Sequence, residues 1–217
     1  QAIAKAGVEG SVILFAQTTG GIEATYWAEQ YPEEVESIIG LDMYSPKEYE
    51  SDQGEDKGFR YMLYLFARVG IIRHIDSAYV TNSYKLYTDK EILTRNALIS
   101  KTSYSKDTYL EDKTIGDNAR ATDQEQVYGK LPMLLVFANP LKEPYLSTDS
   151  SAKADLAKMQ ESYPDYNFET LYNEKRLAYF GKYDNVTCVE MAGPSTLYTY
   201  DPVGLADQMR KYIEKMN

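Results

Sequence analysis

The stretch Ser11–Asp42, SVILFAQTTGGIEATYWAEQYPEEVESIIGLD, leaves few folds open. Ser11–Ala16 is an apolar run that suits a strand buried on both faces. Gly20–Tyr31 has helical spacing, with Ile22, Ala24, Trp27 and Ala28 on its buried side. Pro32 follows, and Glu33 and Glu34 suit the first turn of a new short helix. Val35–Leu41 reads as a second buried strand. Two buried strands joined by a helix make a βαβ unit, whose crossover is nearly always right-handed. Gln17, Thr18 and Thr19 must then turn the chain from strand to helix, with Gly20 and Gly21 just behind them.

Upstream, Gln1–Ala6 reads as the end of a helix stopped by Gly7. A chain that opens on Gln1 inside a helix reads as cut from a longer one, so the lack of a signal peptide carries no weight. Downstream, the character changes at Ser45–Pro46. From there to Lys130 the chain is rich in Tyr, Lys and Asp and shows no strand pattern. Phe59–Ile72 is its most apolar helix candidate, weakened near its end by Gly70, and Ile92–Ile99 and Asp117–Tyr128 are weaker ones. The buried-strand pattern returns at Leu131–Ala138. Helices are predicted near Ser151–Ser162 and Asn173–Gly181, a short strand at Val186–Met191, and an amphipathic closing helix after Pro202. This alternation predicts a parallel sheet covered on both sides. Ligands of such sheets sit at the carboxyl ends of the strands, here the corner Gln17–Gly21 and the loops after Leu41, Ala138 and Met191.

Composition narrows the function classes. A net charge of −10 with no basic stripe argues against nucleic acid as a partner. One cysteine, Cys188, excludes an internal disulfide and a cysteine zinc site, and one histidine, His74, excludes multi-histidine metal sites. No metal and no cofactor is expected. No apolar run reaches bilayer-spanning length, and membrane association, oligomeric state and compartment stay open, the single cysteine leaning toward the cytoplasm. Cys188 reads as a small buried hydrophobe, His74 as a surface or packed histidine, and Asn185-Val186-Thr187 as a chance glycosylation sequon.

A strand that turns into a helix within a few residues holds its tip residue in a strained conformation with the side chain exposed. VILFAQTTGGIEATYWAEQYPEEVESIIGLDMYSP resembles the nucleophile-elbow region of the α/β-hydrolase superfamily, which reads apolar strand, Gly-His-Ser-Met-Gly-Gly, helix, Tyr-Pro-Glu-x-Val, apolar strand, Asp. NVTCVEMAGPSTLYTYDPVGLADQMRKYIEKM is similar to that family's last strand, histidine loop and closing helix. The resemblance implies the C-terminal part of a parallel-sheet α/β-hydrolase-like core in residues 1–45 and 131–217, with an inserted helical cap over 46–130. It implies that the family's first four strands, and the loop that supplies half of its oxyanion hole, are missing from this sequence, and that Ser11–Ala16 is left with an unpaired inner edge.

Carried over by position, the resemblance puts the nucleophile at Thr18, the preceding histidine at Gln17, the oxyanion N–H at Thr19 and the catalytic histidine at Ser195. Asp42 and Glu143 are the candidates for the acid, with Asn139 less suited. His74 aligns with none of these positions. A hydroxyl needs a base to act as nucleophile near pH 7, and serine cannot be that base. Removing the nucleophile or histidine of such a triad costs roughly 10⁶-fold in turnover. In the cap, Phe59, Met62, Leu63, Phe66 and Val69 form an apolar stripe. Gln17, Phe59, Met62, Leu63 and Phe66 are candidate pocket residues, suited to an apolar or acyl-bearing small molecule. The expectation is a lineage acting on small carboxylic esters, weak or inactive without its triad. The alternative is a non-catalytic protein that binds an apolar small molecule or a protein partner in the cleft. A nucleotide binder is disfavoured, since neither G-x-x-x-x-G-K-[ST] nor G-x-G-x-x-G occurs.

Overall fold

The structure is a computed structural model that describes residues 5, 7–45, 48, 57–74, 87–122 and 127–216. All but one residue of the expected helix end Gln1–Ala6 lies outside them. The chain divides into two units, Gln1–Pro46 with Ala121–Asn217, and Lys47–Arg120.

The first unit is built on a four-stranded parallel sheet of order β1-β2-β3-β4, with β1 Val12–Gln17, β2 Val35–Leu41, β3 Met133–Asn139 and β4 Val186–Ala192. Every residue of β3 is buried, as a strand covered on both faces requires. Its alternate side chains feed two cores. Met133, Leu135 and Phe137 join Ala24 and Ala28 of helix α1 (Gly20–Gln30). Leu134, Val136 and Ala138 join Leu205 of the closing helix, Pro202–Met216. Each such buried aliphatic side chain contributes about 1.5–3 kcal/mol. The βαβ unit folds because α1 buries Ile22, Ala24 and Ala28, as its spacing predicts, while Trp27 stays half-buried and donates through Nε1 to Glu34 Oε2 at 2.8 Å.

Three expectations need correction. Ser11–Ala16 is not buried on both faces: β1 is an edge strand of the described sheet, and Phe15 is 53% exposed. Glu33 and Glu34 form no helix, because only Pro32–Glu34 separates Tyr31 from β2. That span makes a turn in which the Glu34 N–H reaches the Tyr31 carbonyl at 3.0 Å. Of the helix expected at Asp117–Tyr128, residues 123–126 lie outside the described ones, and Asp117–Ala121 is the end of a helix that begins earlier, at Lys106. Its start is set at Ser105, whose hydroxyl accepts the Thr108 N–H at 3.1 Å. Val127 and Tyr128 belong to the sheet's core.

The second unit is helical in its described residues: α2 Lys57–Arg68, a 3-10 turn Ile71–His74, α3 Asp89–Thr102 and α4 Lys106–Ala121. Gly70, at φ +81°, ends α2 before Ile72. Val69 therefore falls outside the helix and is exposed, as are Phe59 and Met62, so the apolar stripe is not a packed one. α3 starts on a full capping box between Thr88 and Glu91. After β3, the first unit continues through α5 Tyr145–Thr148, α6 Ser150–Ser162, α7 Phe168–Leu171 and α8 Glu174–Phe180, and after β4 through α9 Leu197–Tyr200 and α10 Pro202–Met216.

Candidate functional site

Gln17 ends β1 and Gly20 begins α1, so Thr18 and Thr19 alone make the corner. Thr18 has φ +46°. A β-branched residue there is an outlier that costs on the order of 1–3 kcal/mol. Three backbone hydrogen bonds hold the corner: Thr18 N–H to the Leu41 carbonyl at 3.0 Å, Gly21 N–H to the Thr18 carbonyl at 3.1 Å, and Ile22 N–H to the Thr19 carbonyl at 3.0 Å. Thr19 has helical dihedrals (φ −59°, ψ −33°) and makes no side-chain cap. Beneath the corner sits Met43, 1% exposed, in space that a Cβ on Gly21 or Gly40 would invade.

The loop after β4 is drawn to the same edge of the sheet. Gly193 donates its N–H to the Asn139 carbonyl at 3.1 Å. Its φ is +150°, and a Cβ there would meet Leu197 Cδ2 at 2.7 Å and Tyr200 Cδ1 at 2.9 Å. Ser195 is exposed two residues on, and its carbonyl accepts a hydrogen bond from Gln17 Nε2 at 3.5 Å. The corner and the Ser195 loop therefore adjoin.

Asp42 lies directly after β2, 4% exposed, at φ +48°. Its Oδ1 accepts the Ala138 N–H at 2.8 Å and lies 3.8 Å from Arg176 Nη1. Burial lifts its carboxyl above the ordinary range, against the pull of the Ala138 N–H and Arg176. Glu143 is exposed and accepts the Ser147 N–H at 3.2 Å, which caps the short α5. Phe59 and Leu63 line a pocket of the second unit, of which Met62 and Phe66 are not part. His74 is exposed in its 3-10 turn. Cys188 packs against the core, and burial pushes its thiol up to about 11. Asn185 donates to the Leu131 carbonyl, so its amide is committed to the start of β4.

The sequence reading missed a polar network at this edge. Asn173 donates from Nδ2 to the Ala138 carbonyl at 3.0 Å and to Glu190 Oε2 at 2.8 Å. Lys142 Nζ lies 2.6 Å from Glu190 Oε1. Burial alone would raise the Glu190 carboxyl, but hydrogen bonds from Lys142, Asn173 and Asn139 outweigh it and hold it below its ordinary value. Asn139, fully buried, also donates to the Glu169 carbonyl at 2.8 Å and accepts the Leu141 N–H at 3.0 Å. Arg176 stacks over Tyr44 with Cζ 4.4 Å from the ring centroid. The one advance sign was a charged Glu190 inside an apolar strand. Among the described residues, no cluster of His, Cys, Asp and Glu could hold a metal ion.

No protein-family model matches the chain. Among solved structures it is similar to a thermophilic esterase from Thermogutta terrifontis, at TM-score 0.55 and 14% identity, over 99% of this chain and 69% of that one. It is similar also to the haloalkane dehalogenase DbeA from Bradyrhizobium elkani USDA94, at TM-score 0.56 and 16% identity, over 99% of this chain and 70% of that one. The fold is that of the α/β-hydrolases. In sequence, the chain is 34% identical over 84 residues to the uncharacterized protein YbdG of Bacillus subtilis (strain 168). That match takes in 36% of this chain and spans a quarter of YbdG's length (25%).

Proposed function

We propose that this protein belongs to an α/β-hydrolase lineage acting on small carboxylic esters, and that its own hydrolysis is weak or lost. The hydrogen bond between Gln17 and Ser195 carries the reading. It joins the two segments to which the nucleophile and histidine positions were assigned, and those segments offer Thr18 and Ser195. Among the described residues, Thr18 has no base beside it that can take its proton near pH 7. Asp42 accepts the Ala138 N–H and sits beside Arg176, so its carboxylate serves the sheet edge.

The test is hydrolysis of p-nitrophenyl butyrate by the full chain. The expected rate is close to background and unmoved by Thr18→Ala. Thr18→Ser combined with Ser195→His is expected to raise it. Brisk turnover that Thr18→Ala abolishes would overturn the loss of activity while leaving the lineage standing. A folded double variant that stays inert would overturn the assignment of positions 18 and 195.

A second reading is non-catalytic binding of an apolar small molecule or a protein partner. It is favoured by a pocket of about 400 Å³ at the carboxyl edge, lined by Pro144, Met191, Ala192, Tyr200 and Asp201. Binding of a short-chain ester without turnover would support it.

A further inference from the structure

Two adjoining cavities lie wholly within the second unit, and they differ sharply in chemistry. The first, about 340 Å³, is walled by Phe59, Leu63, Tyr64, Tyr104 and Tyr109, with Asp112 on its lining. Its aromatic wall is a linked set. Tyr61 packs on Tyr64 and Tyr109 with centroids 5.9 and 5.6 Å apart, and Tyr64 and Tyr109 are stacked at 6.3 Å. The second, about 280 Å³, shares Tyr64, Tyr104 and Ser105 with the first. Among the described residues it is lined by Arg68, Lys101 and Lys106 and by no carboxylate. In a chain of net charge −10, three cations around one cavity with no acid among its described lining residues is a local reversal of sign.

The local fold explains how the cations meet. Lys101 is in the last turn of α3 and Lys106 is the first residue of α4. The tight turn between them is fixed by Thr108 Oγ1, which donates to the Thr102 carbonyl at 3.1 Å, and by the Ser105 cap. Arg68 closes α2 and donates to the Tyr64 hydroxyl at 3.4 Å, which orients it along the shared wall.

We infer that the second unit binds an amphipathic organic anion, with an aryl or short acyl body in the aromatic chamber and an anionic head among Arg68, Lys101 and Lys106. The three cations set the orientation: they draw the anionic head to the second cavity and leave the aromatic chamber to the apolar body. Carboxylate and phosphate heads share this chemistry. The inference uses residues of the second unit alone and does not depend on the ester-hydrolase reading.

The experiment is calorimetric titration of the full chain with 4-phenylbutyrate, phenyl phosphate, inorganic phosphate and the uncharged 4-phenylbutanol. At least one of the two aryl anions is expected to bind, and the better one identifies the head. The alcohol is expected to bind about tenfold or more weakly, the loss of a charge-assisted contact. Lys101 and Lys106 are exposed, so the paired variant Lys101→Gln/Lys106→Gln should fold normally and bind the anion about tenfold less tightly. Tyr109→Ala is expected to weaken acid and alcohol alike. The inference is overturned if neither aryl anion binds, if acid and alcohol bind equally, if the lysine pair leaves affinity unchanged, or if inorganic phosphate binds as tightly as phenyl phosphate.

Discussion

Met43 fills the space that a side chain at Gly40 would need: a Cβ there would collide with its Sδ and come within 2.7 Å of Leu135 Cδ2. The same thioether bears on Gly21, where a Cβ would lie 2.7 Å from Met43 Cε. Forced overpacking costs about 1–3 kcal/mol. Gly40→Ala and Gly21→Ala should each lower the urea midpoint accordingly. Gly20→Ala, with nothing within 4 Å, should be neutral or slightly stabilising.

The strain at Thr18 can be measured. Its φ of +46° is unfavourable for a β-branched residue. Thr18→Gly should stabilise the fold by about 1 kcal/mol, a rise of about 2–4 °C in Tm for a chain of this length. A fall in Tm would show that the threonine side chain contributes more than its backbone costs.

Asp42 is buried, and Arg176 is the cation 3.8 Å from its Oδ1. Arg176→Leu removes the cation beside the Asp42 carboxylate while the Ala138 N–H still donates to Oδ1, and should cost about 3 kcal/mol. Adding Asp42→Asn removes the stranded charge, keeps an acceptor for that N–H, and should recover part of the loss. Urea unfolding of the four proteins of this cycle gives the coupling.

Acid should loosen the same edge through Glu190. Its carboxyl is held below its ordinary value in the folded chain, so the unfolded chain binds the proton more readily. The stabilisation is complete above the unfolded value of about 4.3 and is lost as pH falls through the lower folded one. Stability of the parent chain should therefore drop over that window, and Glu190→Gln should flatten the drop.

Cys188 should be a slow thiol. With its pKa pushed up to about 11 by burial, its thiolate fraction near pH 7.5 lies roughly two orders of magnitude below that of free cysteine. Labelling by a thiol reagent should be correspondingly slow and should climb tenfold per pH unit across the neutral range.

The architecture was legible where apolar runs were long and clearly bounded. Val35–Leu41 matches β2 end for end, because all but one of its residues are buried and Pro32 and Asp42 punctuate it. The edge position of β1 came only from the family resemblance, since an apolar run by itself does not reveal how many neighbours a strand has. The polar helix α4 was misplaced because its start depends on one hydroxyl, Ser105, and on no periodic apolar face. At the site, the corner showed in its two glycines. The Asn173–Glu190–Lys142 network did not, because its members are scattered over β4, the loop after β3 and the residue before α8. Only tertiary packing brings them together.

The strand pairing has a kinetic consequence. β1 and β2 join through one short helix, but Ser37 of β2 reaches the Pro132 carbonyl, 95 residues away, with the whole second unit in between. Closing so long a loop adds little to the equilibrium cost yet delays the contact. Refolding should therefore show the β1–β2 half protected from hydrogen exchange before the seam between β2 and β3 zips shut.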